Sequence, residues 1–129
     1  MEYDLSERHQ FDGIDWRSVP DAPGVYVIYD REEVVYVGMA GRNGKGCLRN
    51  RLRDHASGQI VNMFALYLFL ARVQFQSMER VTHPRQATLA CRPYIRDRCA
   101  FTSRVTEDAS EARDLERRFR QDLQPTLNP

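Results

Sequence analysis

Gly24-Val25-Tyr26-Val27-Ile28-Tyr29 and Val34-Val35-Tyr36-Val37-Gly38, separated by Asp30-Arg31-Glu32-Glu33, form the stretch on which the fold of this chain turns. β-branched and aromatic residues dominate both arms, and the charged residues between them suit a hairpin loop, so two antiparallel strands are predicted. Pro20 and Pro23 punctuate the approach and set the start of the first strand near Gly24. Side chains alternate along a strand with period two, so Tyr26 and Tyr36 can share one face of the pair. On strand chemistry alone, both phenols read equally well as ordinary sheet aromatics.

Downstream residues supply a reason to prefer a site. After the glycine-studded loop Gly41-Arg42-Asn43-Gly44-Lys45-Gly46, the stretch Cys47-Leu48-Arg49-Asn50-Arg51-Leu52-Arg53-Asp54-His55-Ala56 has a helical pattern, with Leu48 and Leu52 on one side and basic residues elsewhere. Arg51 and His55 are four residues apart and project from one helix face. Near the end of the chain, Asp108 and Glu111 form a capping pair for a second helix whose apolar stripe is Ala112, Leu115, Phe119 and Leu123. Glu116 lies at the edge of that stripe, where a carboxylate can reach out of the core. The helix must stop before Pro125, leaving Asn128 in an extended tail.

In this order the residues resemble the GIY-YIG nuclease family, over roughly positions 21–128. Gly24-Val25-Tyr26 matches the first family motif and Tyr36-Val37-Gly38 the second. The family's catalytic arginine falls on Arg51, its His or Tyr one turn later on His55, its metal-binding glutamate on Glu116 and its closing asparagine on Asn128. Some members carry a lysine just after the second motif; this chain has Met39, so a lysine-assisted route is not expected. The resemblance does not explain the long segment between His55 and Glu116.

The resemblance implies an α/β chain of the α+β type, with a small three-stranded antiparallel sheet flanked by helices. It implies metal-dependent endonuclease chemistry on DNA with Tyr26, Tyr36, Arg51, His55, Glu116 and Asn128 in the site. A hard cation such as Mg²⁺ or Mn²⁺ needs only one or two carboxylates besides water and phosphate oxygens, so Glu116 suffices as its protein anchor. Arg51 would offer its planar fork to the phosphate. The base is the difficult role, because a free phenol has a pKa of about 10. His55 is placed either to take a tyrosine proton or to orient water, and the residues leave open which phenol is deprotonated.

The rest of the chain sets bounds. Its 129 residues suffice for one domain, expected as an acidic arm at 1–20 and a nuclease-like domain at 21–129 with a variable insertion at about 59–104. No apolar run reaches the eighteen residues of a membrane span and no basic-then-apolar leader appears, so a cytoplasmic protein is expected. The apolar run at 63–71 reads as a buried helix or strand, a helix is possible from Ala87 to Cys99 although Pro93 argues against it, and 100–106 reads as the third strand. Cys47, Cys91 and Cys99 show no paired spacing for a disulfide framework or structural zinc.

The net charge of +1 is unevenly distributed: residues 1–33 carry nine acids and three arginines, whereas 34–104 carry twelve bases and three acids. That basic belt is an expected phosphate footprint, with Arg42, Lys45, Arg49 and Arg53 as its nucleic-acid contacts around the first helix. The expected partner is DNA, including branched or structured forms; RNA stays open, as does a monomer or a homodimer. The alternative reading is a catalytically degenerate nucleic-acid-binding module that uses the same belt. A third is a structural tyrosine cluster beside a surface for protein or RNA.

Overall fold

The computed structural model describes residues 4–41, 46–76 and 80–128. Its elements are β1 (His9–Gln10), β2 (Gly24–Asp30), β3 (Glu33–Ala40), α1 (Leu48–Ala56), α2 (Met63–Ala71), α3 (Pro84–Arg98), β4 (Cys99–Val105) and α4 (Ala109–Leu123), with 3-10 turns at Trp16–Ser18 and Val73–Gln76. The strands form one antiparallel sheet in the order β1-β4-β2-β3. The sheet therefore has four strands rather than the three expected. The additional strand is only two residues long, pairing His9 with Phe101 and Gln10 with Ala100, and is too short to leave a period-two signature. Ser6 extends this pairing: its N–H donates to the Ser103 carbonyl at 2.8 Å and its Oγ accepts from the Ser103 N–H at 3.0 Å.

β2 lies inside the sheet and is covered on both faces, which is why Val25-Tyr26-Val27-Ile28 is apolar throughout instead of alternating. Val25, Val27 and Val37 pack on Leu115 and Phe119 of α4. Tyr26, Ile28 and Tyr36 join Leu48, Leu52 and Phe64 on the opposite face. Full burial of an anchor such as Phe119 contributes about 2–3 kcal/mol. Removing it would open the α4 side of the sheet.

A bulge decides which face Tyr36 occupies. Near the loop, Asp30 pairs with Glu33 and Tyr29 with Val34; beyond it, Ile28 pairs with Tyr36 and Tyr26 with Gly38, so Val35 is the extra residue. If the loop register continued unbroken, Tyr26 would stand opposite Val37, and Tyr36 would point toward α4. The one-residue shift places both phenols on the same face.

α1 is tied directly to the entry of β2. Two amide groups of its first turn, on Leu48 and Arg49, donate to the carbonyls of Ala22 at 2.9 Å and Pro20 at 3.1 Å, which satisfies donors that every helix start leaves without an internal partner. Gly24 permits this approach, because a Cβ there would lie 2.7 Å from Leu48 Cδ1 and would also strike the Arg104 carbonyl oxygen.

α3 starts earlier than expected and runs through Pro93. His83 caps it, with Nδ1 accepting from the Arg85 N–H at 3.1 Å, while Gln86 Oε1 accepts from the His83 N–H at 3.2 Å; Pro84 occupies a first-turn position where a missing N–H costs nothing. Pro93 removes one hydrogen bond, to the carbonyl of Leu89, a residue 52% exposed and so within reach of water. α4 begins as expected: Asp108 Oδ1 accepts from the Glu111 N–H at 2.9 Å. Among the described residues, no helix is long and apolar enough to cross a membrane.

Candidate active site

Four segments far apart in sequence meet at one cleft of about 470 Å³, bordered by Tyr26 of β2, Tyr36 and Gly38 of β3, Asn50, Arg51 and Asp54 of α1, and Glu116 of α4. α4 packs on the opposite face of the sheet from Tyr26 and Tyr36. Glu116 nevertheless borders the same cleft as the phenols, at the side of the sheet where β3 is the outermost strand.

Tyr26 lies across Gly38, its cross-strand partner. A Cβ at Gly38 would fall on the Tyr26 hydroxyl and ring, with Cε2 at 2.9 Å, so the glycine of the second motif exists to make room for the phenol of the first. The ring is otherwise enclosed, and its hydroxyl sits 2.6 Å from His55 Nε2. Burial pushes the Tyr26 pKa well above the usual phenol range and the Tyr36 phenol adds to the rise, while the Arg51 guanidinium opposes it. Tyr36 is less enclosed, and burial raises its pKa too, again against Arg51.

His55 lies behind this wall, not in the cleft. It is fully buried, with its ring 5.3 Å from Phe64, 5.4 Å from Tyr26 and 5.7 Å from Tyr36. Among the described residues its Nδ1 has no hydrogen-bond partner. Burial, helped by the nearby Arg51 charge, drops its pKa to about 3. The imidazole is therefore neutral near pH 7, and its polar contact is the hydrogen bond with Tyr26. Arg51 stays charged: burial opposes its charge, but Tyr26, Tyr36 and Asp54 outweigh that and raise its pKa.

Asn128 is elsewhere. Its Oδ1 accepts from the Val37 N–H at 2.7 Å and its Nδ2 donates to the Val37 carbonyl at 2.9 Å. The backbone amides of Thr126 and Leu127 donate to the Val34 and Val35 carbonyls at 3.3 and 2.8 Å. The tail thus covers the free edge of β3 beside Tyr36 and Gly38, and both ends of the Asn128 amide are committed to that task.

The expected nucleic-acid-binding residues fare unevenly. Arg42 and Lys45 lie outside the described residues. Arg49 donates from Nε to the Val19 carbonyl at 2.9 Å, and Arg53 stacks 5.7 Å over the Trp16 ring. Further along the belt, Arg92 donates to the Ser57 carbonyl at 3.0 Å and Arg96 pairs with Asp97 at 3.0 Å. Several belt arginines are thus engaged in local structure. Asn50 and Asp54 also border the cleft and are absent from the expected site, although their i, i+4 spacing around Arg51 places them on its helix face. Met39, just after the second glycine, also borders the cleft.

Among the described residues, no group of three or more His, Cys, Asp or Glu stands together as a metal cage. The cleft instead offers the Glu116 and Asp54 carboxylates, two phenols and the Asn50 amide, a donor set dominated by oxygen that fits a hard cation retaining most of its water. Cys47 also borders it, but burial raises its thiol pKa and so disfavours the thiolate.

Neither known family models nor curated proteins match this sequence. Among solved structures, the fold is similar to the GIY-YIG N-terminal endonuclease domain of UvrC from Thermotoga maritima bound to its catalytic divalent cation, magnesium: 20% identity, 88% of this chain and 91% of that one, TM-score 0.47. It is also similar to a mutant of bacteriophage T4 EndoII, at 16% identity over 97% of this chain and 90% of that one, TM-score 0.45.

Proposed function

We propose that this protein is a metal-dependent endonuclease that hydrolyses phosphodiester bonds of DNA in the cleft between β3, α1 and α4. The observation that carries the proposal is the meeting of Tyr26, Tyr36, Arg51 and Glu116 at one opening. A hydrolytic phosphate site needs a cation anchor, a phosphate clamp and groups that hold the attacking water, and these side chains meet all three needs.

Glu116, with Asp54 across the cleft, would hold a divalent cation such as Mg²⁺ or Mn²⁺. That ion would supply positive charge to draw the scissile phosphate and ease loss of a proton from water. Arg51 would present its guanidinium to the non-bridging phosphate oxygens, and losing such a donor typically costs ~10²- to 10³-fold in rate. Tyr36, at the mouth, would hold the attacking water by its hydroxyl. Tyr26 can accept a proton from that water only by passing its own to His55 Nε2, and the burial that holds the His55 pKa near 3 works against that transfer. The Tyr26–His55 pair is accordingly assigned to orient the phenol, with proton removal dependent on the cation.

The test is conversion of supercoiled plasmid to nicked and linear forms with Mg²⁺ or Mn²⁺ and with chelator, for wild type, Glu116→Gln and Arg51→Ala. Metal-dependent nicking lost in both variants, with melting temperatures retained, is expected. Full activity in purified Glu116→Gln would falsify the metal assignment. Salt-sensitive DNA binding without turnover in wild type would favour the degenerate binding module instead.

A further inference from the structure

The charges of α4 are sorted around its axis in a way that the apolar stripe does not require. At 100° per residue, Arg113, Arg117 and Arg120 fall on one side, beside Glu116, while Glu111, Asp114 and Asp122 fall on the far side with Arg118. The three arginines, with Gln121, border a surface concavity of about 430 Å³ that shares Glu116 with the cleft above. Glu116 is thus the wall between the cleft and an arginine groove.

We propose that this groove is a phosphate track, along which Arg113, Arg117 and Arg120 hold the DNA backbone as it leaves the cleft. The inference rests on the nuclease reading and extends it to the course of the substrate strand. Arg113 and Arg117 are exposed and, among the described residues, form no ion pair, so their charge is available to a ligand. Arg120 is half-buried and borders the groove beside Glu116, the residue that the groove shares with the cleft.

Seven residues of helix span about 10 Å from Arg113 to Arg120. That matches about three nucleotide steps at about 3.4 Å each along a duplex axis. Guanidinium groups suit such a track because their planar fork meets phosphate oxygens in pairs. The C-terminal segment, at net −2 over residues 105–129, conceals this side in a simple count.

The experiment is fluorescence anisotropy of a labelled DNA duplex in chelator, titrated with NaCl, with plasmid nicking in Mg²⁺ measured alongside. Removing one arginine from a phosphate lowers the slope of log K against log salt by about 0.9, so Arg113→Gln/Arg117→Gln should lower it by about 2. Arg113→Lys/Arg117→Lys should retain most of the slope, and Arg118→Gln, on the far side, all of it. A wild-type slope in the double glutamine variant overturns the track; so does an equal loss in Arg118→Gln, which would mean a diffuse field. Either result beside metal-dependent nicking by wild type leaves the nuclease reading intact. A wild type that neither nicks nor binds removes both, whereas the expected slope loss without nicking keeps the track and removes only the chemistry.

Discussion

The Tyr26 hydroxyl and His55 Nε2 lie 2.6 Å apart with both side chains sealed from solvent. Tyr26 is hydrogen-bonded to His55 and also to Arg51, and burial makes either charge costly: phenolate on Tyr26, imidazolium on His55. The pair is thus a neutral strut that sets the angle of one phenol at the wall of the cleft.

A pH dependence of stability follows from His55. Its folded pKa of about 3 lies below the ordinary imidazole value of 6.5, so between these values the unfolded chain binds more protons, and stability rises with pH. The contribution is complete above about pH 6.5 and is lost progressively as pH falls toward 3, amounting to about 2 kcal/mol by pH 5. Urea unfolding at pH 7 and pH 5 should show that loss in wild type, and His55→Gln should remove most of it. Parallel pH profiles for the two proteins would sink the assignment.

Gly38→Ala should damage the site through Tyr26. The new methyl would occupy the space of the phenol, and the fully enclosed ring has nowhere to retreat. Overpacking of this kind costs about 1–3 kcal/mol. A lower melting temperature together with a more than tenfold loss of nicking (~1.4 kcal/mol in the barrier) is expected. Unchanged stability would mean that Tyr26 can leave its seat.

Local patterns make the hairpin, α1 and α4 legible: β-branched arms around a charged loop, Leu48 and Leu52 one turn apart, and Asp108 with Glu111 ahead of a 3.6-residue stripe. β1 is not legible, because two residues show no period and their stability comes from pairing with β4. Pro93 misleads about α3 because its helix-breaking propensity is outweighed by a buried face of Ala87, Cys91, Tyr94 and Ile95. In the site, shared motif order anticipates the meeting of Tyr26, Tyr36, Arg51 and Glu116. The bulge at Val35 that aims Tyr36 is a matter of pairing register, which no single strand encodes. The α4 arginines are hidden when charge is averaged along the chain rather than around a helix.

The two phenols should separate stability from activity. Tyr26→Phe removes the partner of His55 Nε2 in an imidazole whose Nδ1 is already unpaired, a buried loss of about 1–3 kcal/mol. Tyr36 makes no side-chain hydrogen bond among the described residues, so Tyr36→Phe should stay within about 0.5 kcal/mol of wild type. Both should nick plasmid poorly. Calorimetry beside saturating-metal kinetics makes the comparison, and equal melting temperatures for the two variants would contradict the strut.

Asn128→Ala tests whether the tail acts by position or by chemistry. Its amide makes two hydrogen bonds, both to the backbone of Val37, between Tyr36 and Gly38, and its side chain does not border the cleft. Losing them should cost about 1–2 kcal/mol and loosen the edge of β3. A positional role lowers nicking through a less well held Tyr36, so activity should recover in part when stability is restored elsewhere, at low temperature or in an osmolyte. Asn128→Asp keeps the acceptor for the Val37 N–H but sets a carboxylate oxygen against the Val37 carbonyl, so it should be the less stable of the two variants. Hydrogen exchange at the Val37 amide gives an independent reading, with faster exchange expected in Asn128→Ala. An abolished reaction with Val37 exchange and melting temperature both at wild-type values would instead put the amide in the chemistry.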